Sequence, residues 1–243
     1  MNSIWVLEIF LVVTVMIAAV VQSSTGFGFA LIIMSLWPMF LNVCDAMLLQ
    51  QFAAGVLIFS LAVKYRKYIV FKNIWLPLIL ALGGTTVGML YMTKIDNRIA
   101  LKYLGGALIA ISIYFLFFGK RIRIPNNKLT GAIAGTSTGL LSGFFNIAGP
   151  PVVLYYSSVL TEKHQYMATL QFFFSVIIFY KMIFLSFTLE YTKIVVMNIP
   201  VVVTASIAGV IIGSKLFEKI PSELTRKTVY IMMIITGIFY LIK

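Results

Sequence analysis

The sequence is poor in the residues on which most enzymes and metal proteins depend. Its 243 residues include one Cys, one His and seven acidic residues. A single cysteine, Cys44, excludes an internal disulfide and any cysteine metal cluster. Neither a His-Glu-x-x-His motif nor a phosphate-binding loop is present, so the chain has no sequence basis for zinc-protease chemistry or ATP hydrolysis. We expect no enzyme activity, no catalytic residues, no metal and no cofactor.

Acidic residues are scarce while basic residues are not, which gives a formal net charge of +12. This charge does not indicate a nucleic-acid partner, because the basic residues cluster between long apolar runs, as in the loops of membrane proteins. Hydrophobic residues make up 61% of the chain and the mean hydropathy is +1.02. Alternating apolar and polar ten-residue segments, typical of outer-membrane barrels, are missing. The sequence therefore predicts an all-α polytopic protein embedded in the lipid bilayer.

Ten apolar segments divide into two sets of five. The first set is Ile4–Val21, Phe29–Leu41, Ala46–Val63, Ile74–Met92 and Ile99–Phe118. The second set is Leu129–Phe145, Pro151–Leu160, Tyr166–Phe187, Ile194–Ser214 and Val229–Ile242. A helix needs about 20 residues to cross a bilayer, so Phe29–Leu41 and Pro151–Leu160 are too short for an easy crossing. We interpret these two as half-helices, each following a break in the chain.

The two sets match each other in sequence. Gly28 corresponds to Gly149, Gln50 to Gln171, and the Gly-x-x-x-Gly motif at Gly84 to the one at Gly209. Because these pairs keep a common order, the sequence predicts two homologous halves, residues 1–119 and 129–243, joined by a basic linker at 120–128. Each half would hold four to five membrane segments and one broken helix, a pattern typical of secondary transporters with inverted repeats.

Basic residues predict the orientation in the membrane. If both members of each broken pair cross, 13 of the 19 Lys and Arg residues fall on one side and 6 on the other. If each pair makes one net crossing, the split is 11 against 8. The positive-inside rule favours the first arrangement, which is an inverted repeat. In both arrangements the basic loops 64–72 and 120–128 are cytoplasmic, and we expect a multi-pass protein of a bacterial-type inner membrane.

The two breaks, Ser23–Leu31 and Asn146–Leu154, are the predicted solute site. An unpaired backbone group in hydrocarbon costs several kcal/mol, by a rough estimate, so such breaks persist only where protein or water satisfies them. A helix that starts after a break presents free N–H groups and a positive dipole end, which favour an anion. We expect the N–H groups of Val152 and Val153 to be free in this way. The candidate substrate-binding residues are Gln22, Ser23, Ser24, Thr25, Gly26, Gly28, Gln50, Asn146, Gly149, Pro150, Pro151, Val152 and Gln171.

Lys181 lies within an apolar segment and has two interpretations. Its stem could extend so that the ammonium reaches the membrane interface, or the ammonium could attract an anion. No acidic residue lies clearly at the centre of a span, so a carboxylate proton relay is poorly supported.

The stretches GFGFALIIMSLWP and GLLSGFFNIAGPPVVLYY resemble the paired glycine-rich motifs of the TauE/SafE family, also called the 4-toluene sulfonate uptake permease family. The duplicated layout and the basic central loop fit as well, so the resemblance covers nearly the whole chain. Family members tend to have three consecutive glycines after the break, whereas Gly28 and Gly149 stand alone here. The resemblance implies transport of a small anion such as sulfite or a sulfonate.

Taken together, the residues and the resemblance predict a secondary transporter for a small anionic solute. A passive anion channel and a membrane assembly or sensor protein without transport remain alternatives. The sequence does not decide between a monomer and a homodimer.

Overall fold

A computed structural model describes residues 2–118, 124–216 and 222–242. Within these residues the chain is helical and contains no strand, which confirms the all-α prediction. The α-helices are α1 (Asn2–Thr25), α2 (Phe29–Leu36), α3 (Val43–Tyr65), α4 (Trp75–Met92), α5 (Asn97–Phe118), α6 (Lys128–Phe145), α7 (Gly149–Val159), α8 (Lys163–Thr188), α9 (Lys193–Leu216) and α10 (Ser222–Ile242). Short 3-10 turns lie at Trp37–Met39, Arg66–Tyr68 and Phe71–Asn73.

Six of the described helices are long and apolar enough to cross a membrane. They lie at Trp5–Thr25, Val43–Tyr68, Trp75–Met92, Asn97–Phe117, Lys163–Thr188 and Lys193–Gly213. By contrast, α2 has 8 residues and α7 has 11. At 1.5 Å per residue these helices are about 12 and 16 Å long, roughly half of a bilayer core of about 30 Å. The two half-helices expected from the sequence are therefore present.

Each half-helix folds back along the long helix that precedes it. The Trp37 indole N–H donates to the Thr14 hydroxyl (2.9 Å), and the Phe10 and Phe40 rings lie 4.8 Å apart. In the second pair, the Val152 N–H donates to the Thr138 hydroxyl (3.1 Å). In each pair, residues before the break therefore contact residues after it, so the two helices run side by side in opposite directions. Helices α1 and α2 form an antiparallel hairpin, as do α6 and α7, and neither pair is a broken helix making one net crossing.

The hairpin breaks are shorter than the sequence suggested. We expected the first break to begin at Ser23, but α1 continues to Thr25. The hydroxyls of Ser24 and Thr25 bond to the carbonyls of Val20 and Val21, four residues earlier, which accommodates them in the last turn. The breaks are therefore Gly26–Gly28 and Asn146–Ala148, since α7 already begins at Gly149.

Glycines bring two pairs of parallel helices into close contact. A Cβ atom on Gly135, Gly139 or Gly143 of α6 would overlap the carbonyl oxygen of Pro77, Ala81 or Thr85 of α4, respectively. On the other pair, a Cβ atom on Gly209 of α9 would lie 2.5 Å from the Ala19 Cβ of α1. The four-residue spacing places these glycines on one face of α6, which allows the close packing. Within α6, residues 135–139 spell the G-x-S-x-G pattern of a nucleophile elbow, but they lie inside a helix and not at a strand-to-helix turn.

The first helices of the two halves run in opposite directions. Helix α1 is parallel to α9 and α6 is parallel to α4, while α3 and α8 are antiparallel, with Tyr65 near His164 and Asp45 bonded to Thr192. The packing of the two halves also corresponds. Helix α4 of the first half packs on α6, the first helix of the second half, and α9 of the second half packs on α1, the first helix of the first half. These directions agree with an inverted repeat. The division at 1–119 and 129–243 and the superposition of the halves remain predictions.

The described parts of the two basic loops lie at the same end of the molecule. Two consecutive tyrosines of α7 contact them: the Tyr155 hydroxyl donates to the Asn126 amide oxygen (3.4 Å), and the Tyr156 hydroxyl donates to the Asn73 carbonyl (3.3 Å). Residues 119–123, which include most basic residues of the predicted linker, lie outside the described residues. Their cytoplasmic placement remains a prediction from the charge distribution.

Candidate functional site

A cavity of about 40 Å³ lies between the two hairpin tips. A single water needs roughly 10 to 15 Å³ measured in this way, so the cavity has room for a few waters or one small anion. A Cβ atom added to Gly149, at the start of α7, would lie 3.5 Å from the Phe27 ring of the first break. Helices α3 and α8 complete the wall. The breaks therefore meet at one place, as the sequence predicted. The polar side chains that line the cavity are those of Gln22, Gln50, Gln51, Ser142, Asn146 and Lys181.

The first break is stabilised by two glutamines. Gly26 and Gly28 have φ angles of +85° and +115°, which a side chain would strain. The buried carbonyl of Gly26 accepts hydrogen bonds from the side-chain amides of Gln22 (3.0 Å) and Gln171 (2.8 Å). The Gln22 side-chain oxygen in turn accepts from the Phe29 N–H (3.1 Å), at the first turn of α2. Protein side chains thus satisfy the backbone groups that the break releases.

The second break uses an asparagine in the left-handed conformation. Asn146 has a φ angle of 60°, which asparagine tolerates better than most residues. The Ile147 N–H bonds back to the Leu141 carbonyl (3.2 Å), and this bond closes the end of α6. At the start of α7, the Val152 N–H donates to the Thr138 hydroxyl (3.1 Å). Our expectation of a free N–H at Val152 was therefore wrong, because α6 supplies an acceptor from across the hairpin.

The Asn146 side chain is the centre of a buried polar network. Its amide oxygen accepts hydrogen bonds from the Gln51 amide and from the Lys181 ammonium. Its amide nitrogen donates to the Met47 carbonyl (3.3 Å), and its backbone carbonyl lies 3.4 Å from the Gln50 amide nitrogen. These bonds hold the tip of the second hairpin against α3 and α8.

Lys181 places an ammonium group beside the cavity. Only 1% of the residue is exposed, and the ammonium donates to the Ser142 carbonyl (2.6 Å) as well as to Asn146. Within the described ranges no carboxylate lies within 4.0 Å of it. The interpretation that the stem carries the ammonium to the membrane interface is therefore wrong. A lysine ammonium has three donors, and the Ser142 hydroxyl, at 3.5 Å, lies at the outer limit for a third bond.

The predicted site residues fall into three groups. Those that line the cavity are Gln22, Gly28, Gln50, Asn146 and Gly149. Three others support the first break without lining it, namely Thr25, Gly26 and Gln171. The remaining five lie elsewhere: Ser23 and Ser24 are buried in the last turns of α1, Val152 bonds to α6, and Pro150 and Pro151 line an apolar groove against α5 and α6.

The sequence analysis missed several residues of this cavity. Gln51 and Ser142 were not identified, and Phe27 was noted only as part of the first motif. Gln51 is adjacent to the predicted Gln50, so the pair of consecutive amides in an apolar span was the available signal. Ser142 had no distinguishing signal, because it lies within a small-residue stretch that reads as packing.

Comparison with known proteins adds an independent observation. A family model described as sulfite exporter TauE/SafE matches residues 11–240. The chain belongs to this family. The TauE/SafE match begins within α1 and ends within α10, and the cavity and both hairpin tips lie inside it. No curated protein and no solved structure matches the chain.

Family membership and the apolar helices show the general function. TauE/SafE proteins are sulfite-exporter-type membrane transporters, so this chain is a multi-pass membrane transporter of that type. The family is one of transporters. The resemblance that the sequence motifs suggested is thereby confirmed.

Proposed function

We propose that this TauE/SafE protein is a secondary transporter that carries a small sulfur-containing oxyanion, such as sulfite, through the cavity between the hairpin tips. The observation that carries the proposal is the buried Lys181 ammonium at that cavity, with no carboxylate partner among the described residues. Burial of a charge is costly unless an opposite charge compensates it. An anion in the cavity would supply that compensation, whereas a cation would be repelled.

Lys181 changes the expected physical basis of anion binding. The sequence pointed to free N–H groups at the starts of α2 and α7, but Gln22 and Thr138 already accept from Phe29 and Val152. A full charge is therefore available where the sequence suggested mainly helix dipoles. At close range in a protein interior, a full charge outweighs the roughly half charge of a helix end.

Burial of the cavity favours a transporter over a passive channel. The polar residues along its wall, including Gln22, Gln51 and Lys181, are at most 4% exposed. A channel needs a continuous wet path, whereas a carrier alternates between states and passes through one in which the solute is enclosed. The family name supports export, and the chemistry of the cavity supports an anion of a few heavy atoms.

Transport by the purified protein in liposomes would test the proposal. Vesicles loaded with unlabelled sulfite should accumulate radiolabelled sulfite transiently above its equilibrium level, because exchange through a carrier couples the two fluxes. A channel would only equilibrate the label. Protein-free vesicles are the control for leak. Absence of both exchange and equilibration for sulfite and for small sulfonates would contradict the proposal.

A further inference from the structure

The hydrogen-bond network around Asn146 fixes the orientation of two neighbouring amides. A lysine ammonium can only donate, so the Asn146 atom that contacts Lys181 must be its amide oxygen. The Gln51 atom that bonds to the same oxygen must then be its nitrogen. The Gln50 atom facing the Asn146 backbone carbonyl must be a nitrogen for the same reason. Each glutamine therefore directs its nitrogen toward Asn146 and its oxygen away from it.

The two glutamine oxygens are left without donors. Gln50 and Gln51 are 3% and 2% exposed. In the part of the chain that the structure describes, neither side-chain oxygen has a hydrogen-bond partner. Both residues line the cavity. A buried acceptor without a donor is unfavourable, and its pairing recovers free energy.

The cavity wall thus combines a cation with two unpaired acceptors. Lys181 favours a negative charge, while Gln50 and Gln51 favour a group that donates hydrogen bonds. A fully deprotonated oxyanion offers only acceptors and would face the two glutamine oxygens with its own oxygens. A singly protonated oxyanion satisfies both demands, because it carries a negative charge and an O–H donor.

We propose that the cavity selects a small oxyanion bearing an O–H donor, such as hydrogen sulfite, over an anion of the same size and charge that has none. The inference rests on the proposed function, since it specifies the solute for the same cavity. The volume of about 40 Å³ limits the solute to a few heavy atoms. A site that hydrogen-bonds a solute O–H discriminates strongly against an analogue lacking it, because its own polar groups then remain unpaired.

Hydrogencarbonate and nitrate provide a matched pair of probes. Both are planar anions with one central atom, three oxygens and a single negative charge, but only hydrogencarbonate has an O–H donor. Their affinities for the detergent-purified protein would be measured by isothermal titration calorimetry at mildly alkaline pH and constant ionic strength, beside sulfite. We expect hydrogencarbonate to bind at least about tenfold more tightly than nitrate, equal to about 1.4 kcal/mol.

Two variants test whether the glutamine oxygens cause the preference for hydrogencarbonate over nitrate. Gln50→Met and Gln51→Met remove one acceptor each while keeping side-chain length, and each should reduce the ratio of the two affinities. A purely structural role would weaken both anions by the same factor and leave the ratio unchanged, which would overturn the assignment. Ser60→Ala, whose hydroxyl bonds to the Val56 carbonyl on an exposed part of α3, should keep the wild-type ratio. The wild-type comparison decides the main question even if a variant fails to fold.

The outcomes separate the two proposals. Nitrate binding as tight as hydrogencarbonate binding would overturn the donor preference while leaving anion transport in place. Sulfite binding without hydrogencarbonate binding would overturn it as well. Failure of sulfite, hydrogencarbonate and nitrate all to bind would instead contradict the proposed function.

Discussion

A buried lysine without a carboxylate is costly to a membrane protein. Lys181 is held by the Ser142 carbonyl and the Asn146 amide, which are neutral acceptors. Neutral acceptors compensate part of the desolvation of an ammonium, but they do not neutralise it. Stability alone would favour an apolar side chain at this position. The position of Lys181 beside the cavity is therefore best explained by an interaction with an anionic solute.

Lys181→Met should separate binding from stability. We expect the affinity for sulfite to fall at least about thirtyfold, or about 2 kcal/mol, because the charge that faces the anion is removed. The Tm without solute should stay the same or rise, since methionine has a similar shape and no charge to bury. Lys193→Met, at an exposed position at the start of α9, is the matched control. Calorimetry and thermal unfolding would measure the two effects, and unchanged sulfite affinity in Lys181→Met would exclude this role.

Gly149 tests the space between the hairpin tips. A Cβ atom there would lie 3.5 Å from the Phe27 ring, an ordinary contact. Gly149→Ala should therefore retain most of the transport activity, whereas Gly149→Leu should abolish it because the longer side chain extends into the cavity. Sulfite exchange in liposomes, with the amount of inserted protein determined in parallel, would measure both variants. Normal exchange by Gly149→Leu would show that the solute does not pass this point.

At the scale of helices, the structure is built from two hairpins clamped by close parallel pairs. Helix α6 carries the second hairpin and packs on α4 through glycine, so backbone meets backbone along this face. Without a hydrophobic driving force inside the bilayer, such close packing is a main source of helix association. The position of Asn146 at the end of α6 therefore depends on the α4–α6 contact.

Gly139→Ala should destabilise this contact. Its new methyl group would overlap the Ala81 carbonyl, and an overpacked interface costs about 1 to 3 kcal/mol. Gly83→Ala is the control on α4, because a Cβ atom there meets nothing within 4 Å. We expect a Tm lower by several degrees for Gly139→Ala and an unchanged or slightly higher Tm for Gly83→Ala. Equal Tm values for both variants would mean that the helices separate easily to admit a methyl group.

At the scale of the whole molecule, each hairpin returns to the side from which it entered. Because α2 and α7 reverse direction, successive helices alternate in direction along α1–α10, and the two halves begin in opposite directions. The described parts of the two basic loops consequently lie at one end. The positive-inside rule then predicts that this end faces the cytoplasm.

Single-cysteine labelling would test this topology. With Cys44 replaced by alanine, Lys67→Cys and Asn126→Cys should react with a membrane-impermeant maleimide only after the cell is opened. Arg98→Cys, in the first turn of α5, should react in intact cells. All three positions are exposed. Labelling of Lys67→Cys and Asn126→Cys from opposite sides would contradict the arrangement of the hairpins.

The sequence by itself determined the membrane class, the number and approximate bounds of the helices, and the positions of the two breaks. These properties are local: hydropathy over about 20 residues identifies a span, and Gly28 or Pro150 interrupts a helix wherever the chain places it. It also indicated the family, because the motifs at the breaks are contiguous in sequence. Break lengths were overestimated, since the bonds of Ser24 and Thr25 to the preceding turn were not considered.

Only the tertiary structure decided which groups face the solute. Lys181 meets Asn146 across 35 positions of sequence, and Gln51 meets it across 95. Such contacts depend on how each helix is rotated and how closely α3, α6 and α8 approach. The same packing gives the Val152 N–H an acceptor on Thr138 and leaves the oxygens of Gln50 and Gln51 without donors. Hydropathy fixes where a helix lies along the chain, but the partner of a buried polar group is fixed only when the helices pack.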